Sequence, residues 1–483
     1  MDKKDLILKK LLLILVSSIF LSCFSSDKKP NVIFILVDDL GWNDLGYSGS
    51  SFYETPNIDS LSMNSFEFSF AYSSSPVCSP TRASIMTGKH PARINITDWI
   101  PGLDPQNRPL LGPKDNHQLA LKEITIAEKM KKLGYKTYYS GKWHLGSEGY
   151  YPEDNGFDFN VGGFEKGSPM GGYYSPYKNP KLSDGPLGEY LTDRLTNESI
   201  SLIEKNKDQP FFLFLSFYNV HTPIQPNLSY IEYFEKKKNK LLEKNPLYAD
   251  EGEAMTRLNQ TNAKYASMVF SVDKNIGKLI NYLKNNNLYE NSLIIFTSDN
   301  GGLSTLKNPV SPTSVFPLRA GKGWLYEGGI RVPQLIKTPG STNNTKIDQI
   351  TVSHDLFPTI LDYVKGENDV EIDGKSLMPV MENNSQISRD DIFWHFPHYH
   401  GSLWKPGSAI RQGNWKLIQH FESNRIELYD LENDRDEVKN LVKSKEHAEV
   451  LKKMRKAHLD HINKIIDIGF LPEGEIHSRA EGS

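Results

Sequence analysis

The sequence predicts an α/β fold: a large, mostly parallel β-sheet sandwiched by helices, followed by a smaller C-terminal α+β unit that carries an antiparallel sheet. Three observations predict it. Residues 32–37, 211–217 and 293–297 are continuously apolar and β-rich, as strands buried on both faces are. Amphipathic helical patterns alternate with these runs, which implies βαβ units with helices on both faces. After about residue 370 the pattern changes to short strands joined by turns.

Taken in order, the run 32–37 (Val-Ile-Phe-Ile-Leu-Val) ends at Asp38-Asp39-Leu40-Gly41. Residues 124–133 are amphipathic and stop at Gly134, a plausible helix terminator. A strand-like stretch, 135–139, then leads into Gly141-Lys142-Trp143-His144. Residues 162–186, rich in Gly, Pro, Ser and Tyr, read as a loop, and the lysine-heavy run 235–244 reads as a solvated helix face or loop. The run 211–217 ends near His221. Tyr265, Met268, Val269, Val272, Ile276, Leu279, Ile280 and Leu283 recur at helical spacing and predict a long amphipathic helix. The run 293–297 ends at Asp299-Asn300-Gly301-Gly302. Further on, 409–418 and 427–431 read as short strands joined by turns, and 445–465 as a charged helix. The expected organisation is a catalytic domain over 29–372 and a C-terminal subdomain over 373–470.

The first residues read as a targeting segment. Lys3, Lys4, Lys9 and Lys10 precede an apolar stretch, 11–21, about half the ~20 residues that span a bilayer. It ends at Leu21-Ser22-Cys23, resembling a bacterial lipoprotein signal in which residues 1–22 are removed and Cys23 is lipidated; Phe20 stands where such signals usually carry Leu. Plain secretion is the alternative. The expected location is outside the cytoplasm, as a cell-envelope lipoprotein or in the periplasm, with membrane contact only through the lipid anchor. A net charge of −3 gives no sign of a nucleic-acid partner.

Three apolar strands finish in polar or ionisable residues, and in open α/β sheets ligands bind at the carboxyl ends of strands. Asp38, Asp39, Asp299 and Asn300 offer only oxygen ligands, which suit a hard dication, Ca²⁺ or Mg²⁺ before Zn²⁺. Arg82, Lys142 and Lys322 supply positive charge, and His144 and His221 can pass protons near neutral pH. Cys78, one of only two cysteines, lies in Val77-Cys78-Ser79-Pro80-Thr81-Arg82. Cys-x-Pro-x-Arg is the motif that maturation enzymes read when they oxidise a cysteine to formylglycine. Each element has an ordinary reading by itself: an Asp-Asp pair caps a helix or turn, Asp-Asn-Gly-Gly is a strong turn signal, and Lys322 beside Arg319 is solvated surface.

Together these residues resemble the type I, formylglycine-dependent sulfatases of the alkaline phosphatase superfamily. The resemblance runs from Pro30-Asn31-Val32-Ile33 through Cys78–Arg82 with Met86-Thr87-Gly88, then Gly141-Lys142-Trp143-His144-Leu145-Gly146 and His221-Thr222-Pro223. It continues through Ser298–Gly302, Gly321-Lys322, Glu327–Pro333 and Leu428–Leu431. It implies that Asp38, Asp39, Asp299, Asn300 and the modified Cys78 bind Ca²⁺, with Mg²⁺ the lesser candidate, and that Arg82 holds the formylglycine hydrate. It further implies that Lys142 and Lys322 grip sulfate, that His144 takes a proton from the second hydroxyl of the hydrate, and that His221 faces the leaving oxygen. The implied partners are a sulfated carbohydrate and a formylglycine-generating maturation enzyme. Apart from the resemblance, the loop 162–177 with Tyr173 and Tyr174 and the His-rich, aromatic loop 394–401 with His398 and His400 are the expected sugar contacts; the alternative for 394–401 is a segment that packs between the domains. The alternatives are a formylglycine-dependent phosphonate or phosphate monoesterase, and a non-catalytic sulfated-glycan-binding lipoprotein with an unmodified Cys78.

Overall fold

The computed structural model describes residues 28–467, apart from 103, 104, 106, 242–245, 384 and 390. Residues 1–22 and Cys23 therefore lie outside the described residues, and so does the end of the chain beyond 467. Among the described residues no helix is long and apolar enough to cross a membrane.

The main sheet has eight strands: β1 (Asn31–Val37), β2 (Phe66–Tyr72), β3 (Lys136–Gly141), β4 (Phe159–Val161), β5 (Phe211–Phe217), β6 (Ser292–Ser298), β7 (Gln334–Lys337) and β8 (Thr345–Val352). Their order is β8-β2-β7-β6-β1-β5-β3-β4. Only β7 runs antiparallel to its neighbours β2 and β6; the other pairings are parallel. The three continuous apolar runs are β1, β5 and β6, side by side at the centre. Their unbroken hydrophobicity follows from this position, because alternate residues enter two different cores. Ile33, Ile35 and Val37 face one side with Phe211, Leu213, Leu215 and Phe296. Val32, Phe34 and Leu36 face the other with Phe212, Phe214 and Ile295.

Helices cover both faces. On the second face lie α1 (Cys78–Thr87), α2 (Ile126–Lys132) and α5 (Leu356–Tyr363); on the first lie α3 (Leu191–Lys205) and α4 (Ala263–Asn285). The start of α2 is fixed by a capping box: Glu128 N–H donates to the Thr125 hydroxyl, and the Glu128 carboxylate accepts the Thr125 N–H at 2.7 Å. The chain leaves this helix through Gly134, at φ +83°. The predicted long helix is α4, started by Asn262, whose side chain accepts the N–H groups of Lys264 and Tyr265.

The C-terminal sheet is a four-stranded antiparallel meander: β9 (Ile392–Phe396), β10 (Gly407–Gln412), β11 (Trp415–His420) and β12 (Arg425–Asp430), backed by α6 (Ala448–Asp467). The stretch 409–418 contains the turn between β10 and β11, with Gly413 at φ +55°. Strand β9 takes in residues 394–396 of the segment read as a sugar-facing loop or as packing between the domains, and packing is what it does. All five of its residues are buried, Trp394 and Phe396 against the main domain and Phe393 against α6. Packing on both faces, with the Trp394 indole donating to Ser73 O at 2.8 Å, makes this stretch a strand and not a loop.

Between the two units lies a buried charge cluster. Lys416 Nζ sits 3.0 Å from Glu327 Oε1 and 2.8 Å from Glu437 Oε1. The Tyr72 hydroxyl donates to Glu327 at 2.6 Å and also meets Arg411. One lysine shared by two carboxylates cannot hold both at ordinary acidity. Glu327 is held down to about 2, because Lys416, Arg411 and Arg331 outweigh its burial. Glu437 is pushed up to about 7 by burial, which the Lys416 charge only partly opposes, and by the Glu327 charge. A carboxyl raised from 4.5 in the unfolded chain to about 7 in the folded one binds its proton more tightly when folded. Its contribution to stability is complete below pH 4.5 and is lost as pH rises toward 7. Glu437→Gln is therefore expected to flatten the fall in unfolding free energy across that window, measured by urea unfolding at a series of pH values. An unchanged slope would contradict this account.

Candidate active site

The central strands end level with one another. Val37 of β1 pairs with Phe217 of β5 and Ser298 of β6, and Ser216 of β5 pairs with Gly141 of β3. The next residues along the chain, Asp38, Asp299 and Lys142, are thereby delivered to one place. Cys78 is the first residue of α1, buried and, among the described residues, free of disulfide bonding. Arg82 follows one turn later on the same helix face.

Each buried carboxylate has its own cation. Arg82 Nε and Nη2 both lie 2.8 Å from Asp299 Oδ2, while Nη1 donates to Lys142 O and to the Ser216 hydroxyl at 2.8 Å. Lys142 Nζ donates to Asp38 Oδ2 at 2.7 Å. Lys322 Nζ sits astride the Asp39 carboxylate, 2.6 Å from Oδ1 and 2.9 Å from Oδ2. Asp39 takes the left-handed conformation at φ +59°, and its N–H donates to Asp299 Oδ1 at 3.2 Å.

Backbone proximity sets the lysines. Gly141, at φ +106°, lies so close to β5 that an added Cβ would fall 1.8 Å from Ser216 O. A Cβ on Gly301 would lie 2.0 Å from Gly328 O, so the turn after β6 stacks directly on the loop that carries Lys322. Lys322 N–H donates to Gly302 O at 3.0 Å. Arg319 fastens the same loop by donating to Glu251 at 2.7 Å, to the Tyr429 hydroxyl at 3.0 Å and to Glu437 O at 2.9 Å.

The donor set fits a hard cation. Ligand atoms of Asp38, Cys78 and Asp299 lie within 4.8 Å of one another. Among the described residues, Asp38 Oδ1 is buried with no hydrogen-bond donor. The Asn300 amide nitrogen donates to Asp39 Oδ1 at 2.8 Å and to Gly301 O at 3.0 Å, and Asn300 Oδ1 is buried with no partner among the described residues. Burial and the Asp299 charge push Asp38 well above the usual carboxylate range, with Lys142 opposing. Burial also acts on Asp39 and Asp299, but there the neighbouring cations win and hold both below their ordinary values. A dication beside Asp38 would add to the Lys142 charge and favour the ionised carboxylate.

Over this floor opens a cavity of about 540 Å³, lined by Cys78, His144, His221, Lys322 and His400. Its upper walls are Trp99, Ile100 and Pro101, with His117, Gln118, Glu165, Lys166, Gly167 and Ser168. His144 is buried, and burial with the Lys142 charge holds its imidazole well below its ordinary pKa. Burial and then Lys322 depress His221 to about 3. Its Nδ1 contacts Thr222 O at 2.7 Å, and Nε2 lies 3.9 Å from Asp39 Oδ2. His400 accepts the Ser402 N–H at Nδ1, 3.2 Å away.

The residues suggested by the sequence divide here. Asp38, Asp39, Cys78, Arg82, Lys142, His144, His221, Asp299, Asn300 and Lys322 come together, and His400 reaches the cavity. Tyr173 does not: it is buried, with its hydroxyl donating to Tyr218 O at 2.7 Å and His221 O at 2.8 Å, so it braces the His221 turn from behind. His398 is buried against Thr97, 2.8 Å from its hydroxyl, and does not line the cavity. The 99–101 wall carried no sequence signal, because no motif or periodicity marks it. The 165–168 wall lies within the loop 162–186, where Glu165 and Lys166 stand among Gly, Pro, Ser and Tyr with no motif to mark them.

Comparison with known proteins agrees with this geometry. The family model described as sulfatase matches residues 30–366, and that of the N-sulphoglucosamine sulphohydrolase C-terminal region matches 320–464. A sulfatase of Formosa agariphila is 30% identical over 495 residues, covering 86% of this chain and 85% of that protein. The N-acetylgalactosamine-6-sulfatase of Mus musculus is 29% identical, covering 80% and 72%. The crystal structure of Ps i-CgsB in complex with k-i-k-neocarrahexaose superposes with a TM-score of 0.72 at 28% identity, covering 94% of this chain and 96% of that one.

Ligand binding to the native state alone stabilises it by mass action, about 2.7 kcal/mol at a hundredfold excess over Kd. Added Ca²⁺ or Mg²⁺ is therefore expected to raise the thermal midpoint and a chelator to lower it. Asn300→Ala, which removes an uncharged ligand oxygen, is expected to abolish most of that shift. A midpoint in Asn300→Ala that responds as the wild type does would exclude this cradle as the cation site.

Proposed function

The chain belongs to the sulfatase family and is a sulfuric ester hydrolase, and we propose that it acts on carbohydrates cut from sulfated polysaccharide, through a formylglycine formed from Cys78 and a Ca²⁺ ion held by Asp38, Asp39, Asp299 and Asn300. One observation carries the reading: ligand atoms of Asp38, Asp299 and Cys78 lie within 4.8 Å of one another, Asp38 Oδ1 and Asn300 Oδ1 are buried with no hydrogen-bond partner among the described residues, and Cys78 lines a cavity shared with Lys322, His144 and His221. The thiol stands where the hydroxyls of a hydrated aldehyde would be. That group would supply two hydroxyls on one carbon, one to attack sulfur and the other to drive release of sulfate.

The remaining chemistry belongs to the side chains present. Arg82 is committed to Asp299 and to backbone and hydroxyl acceptors, so it orients the floor. Lys142 and Lys322 are committed to carboxylates that a dication would neutralise, which would free their ammonium groups for sulfate oxygens. His221 stands at the cavity side of Lys322 and serves the leaving oxygen. It is neutral in the free protein at neutral pH, and a bound sulfate ester would raise its proton affinity when the proton is needed. His400 is the sugar contact reached from the C-terminal unit. The relative Ps i-CgsB, crystallised with k-i-k-neocarrahexaose, supports an oligosaccharide substrate of that kind. The leader with Cys23 supports export and a lipid anchor, which suit scavenging of such oligosaccharides.

Peptide mass spectrometry across Cys78 in protein from its native host is expected to show the aldehyde, with turnover of aryl sulfate well above that of aryl phosphonate. An unmodified thiol in active protein would overturn the mechanism. Cys78→Ser is expected to react once and stall with sulfate esterified on the serine, visible in the intact mass; sustained turnover with no adduct would contradict this. His221→Ala is expected to slow hydrolysis of sugar sulfates by roughly 10²- to 10⁴-fold, and aryl sulfates with good leaving groups far less. Equal losses on both substrates would remove the acid role.

A further inference from the structure

Three hydrogen bonds close a ring around His144. The hydroxyl of Ser79, the residue after Cys78, donates to His144 O at 3.0 Å and accepts the Ile100 N–H at 3.1 Å. The Ile100 carbonyl in turn is bonded to His144 Nε2. A carbonyl can only accept, so Nε2 carries the proton, and in a neutral ring Nδ1 is then a bare lone pair. Nδ1 is buried and has no hydrogen-bond partner among the described residues. Gly167 closes the edge of the ring: a Cβ there would lie 2.4 Å from Cε1 and 2.7 Å from each nitrogen. His144 itself is held at φ +60°, its N–H donating to Phe164 O at 3.2 Å.

We propose that Ser79 is a positioning residue: by tying Ile100 to His144 it fixes the imidazole in the tautomer whose Nδ1 accepts a proton in the cavity that His144 shares with residue 78. The inference rests on the formylglycine reading for its role in turnover, though not for the tautomer itself. The step served is proton removal. Nδ1 takes the proton of the spare hydroxyl on residue 78, and the O–H electron pair becomes the carbonyl π bond. The bond from that carbon to the sulfate oxygen breaks, sulfate leaves with that pair, and Nδ1 returns its proton to water. A serine that only finished the first turn of α1 would leave the His144 tautomer indifferent to its loss.

Nitrogen-15 NMR of histidine-labelled protein reads the tautomer without metal, substrate or formylglycine. The wild type is expected to show His144 as the Nε2–H form alone. Ser79→Ala, and independently Gly167→Ala, which pushes the ring off the Ile100 carbonyl from outside the maturation motif, are expected to show mixed tautomers. Ser79→Thr restores the single form. With rates normalised to measured formylglycine, Ser79→Ala and Gly167→Ala should release the first equivalent of product alcohol at the wild-type rate and then turn over about 10²-fold more slowly, with KM falling in step. An Nδ1–H or mixed wild type overturns the proposal, and so does a Ser79→Ala protein with unchanged tautomer and kcat. A wild type with the Nε2–H form but no burst and no sulfatase turnover supports the positioning and overturns the catalytic reading instead.

Discussion

Three carboxylates buried at the ends of parallel strands must each be matched by a cation, and much of the architecture around the site serves that need. Leaving one member of a buried ion pair without its partner costs about 3–5 kcal/mol, so the pairing is a constraint on the chain. Asp299 takes Arg82, Asp38 takes Lys142 and Asp39 takes Lys322. Each cation arrives from a different part of the sequence, and each arrival demands a local feature: a helix that begins at Cys78, a glycine at 141 that lets β3 approach β5, and glycines at 301 and 328 that let two loops stack. The same pairing keeps both lysines buried and charged beside the site before any ligand binds.

The level strand ends depend on the two-sided core. Because β1, β5 and β6 bury both faces, a slip of one residue in any of them would send every side chain into the wrong core. Register is therefore fixed by packing far from the chemistry, and the polar residues that follow are placed by it.

Much of this was legible in the sequence, for physical reasons. A strand buried on both faces is an uninterrupted apolar run, and a carboxylate directly after such a run is at a strand exit. That reasoning located Asp38, Asp39, Asp299 and Asn300, and the Cys-x-Pro-x-Arg motif located Cys78 and Arg82. Composition misled where a residue type had two uses. Trp394 and His398 have the aromatic and imidazole character of a sugar site, yet they bury that character between the two units. Tyr173 lends its hydroxyl to backbone carbonyls and not to the cavity. The wall at Trp99–Ile100–Pro101 was invisible because it contributes a carbonyl and a surface, neither of which leaves a pattern in the chain.

The loop that carries Lys322 is fastened by Arg319 to the Tyr429 hydroxyl and the Glu437 carbonyl, so one of the three site cations is held in place from the C-terminal unit. The same unit sends His400 into the cavity. Gene fusion and exchange could not treat the two units as interchangeable modules. A foreign C-terminal sheet would bring its own cavity lining in place of His400 but would inherit no anchor for the lysine loop. New substrate preferences in this architecture should therefore arise by drift within a matched pair of units, with the seam near residue 320 inherited whole.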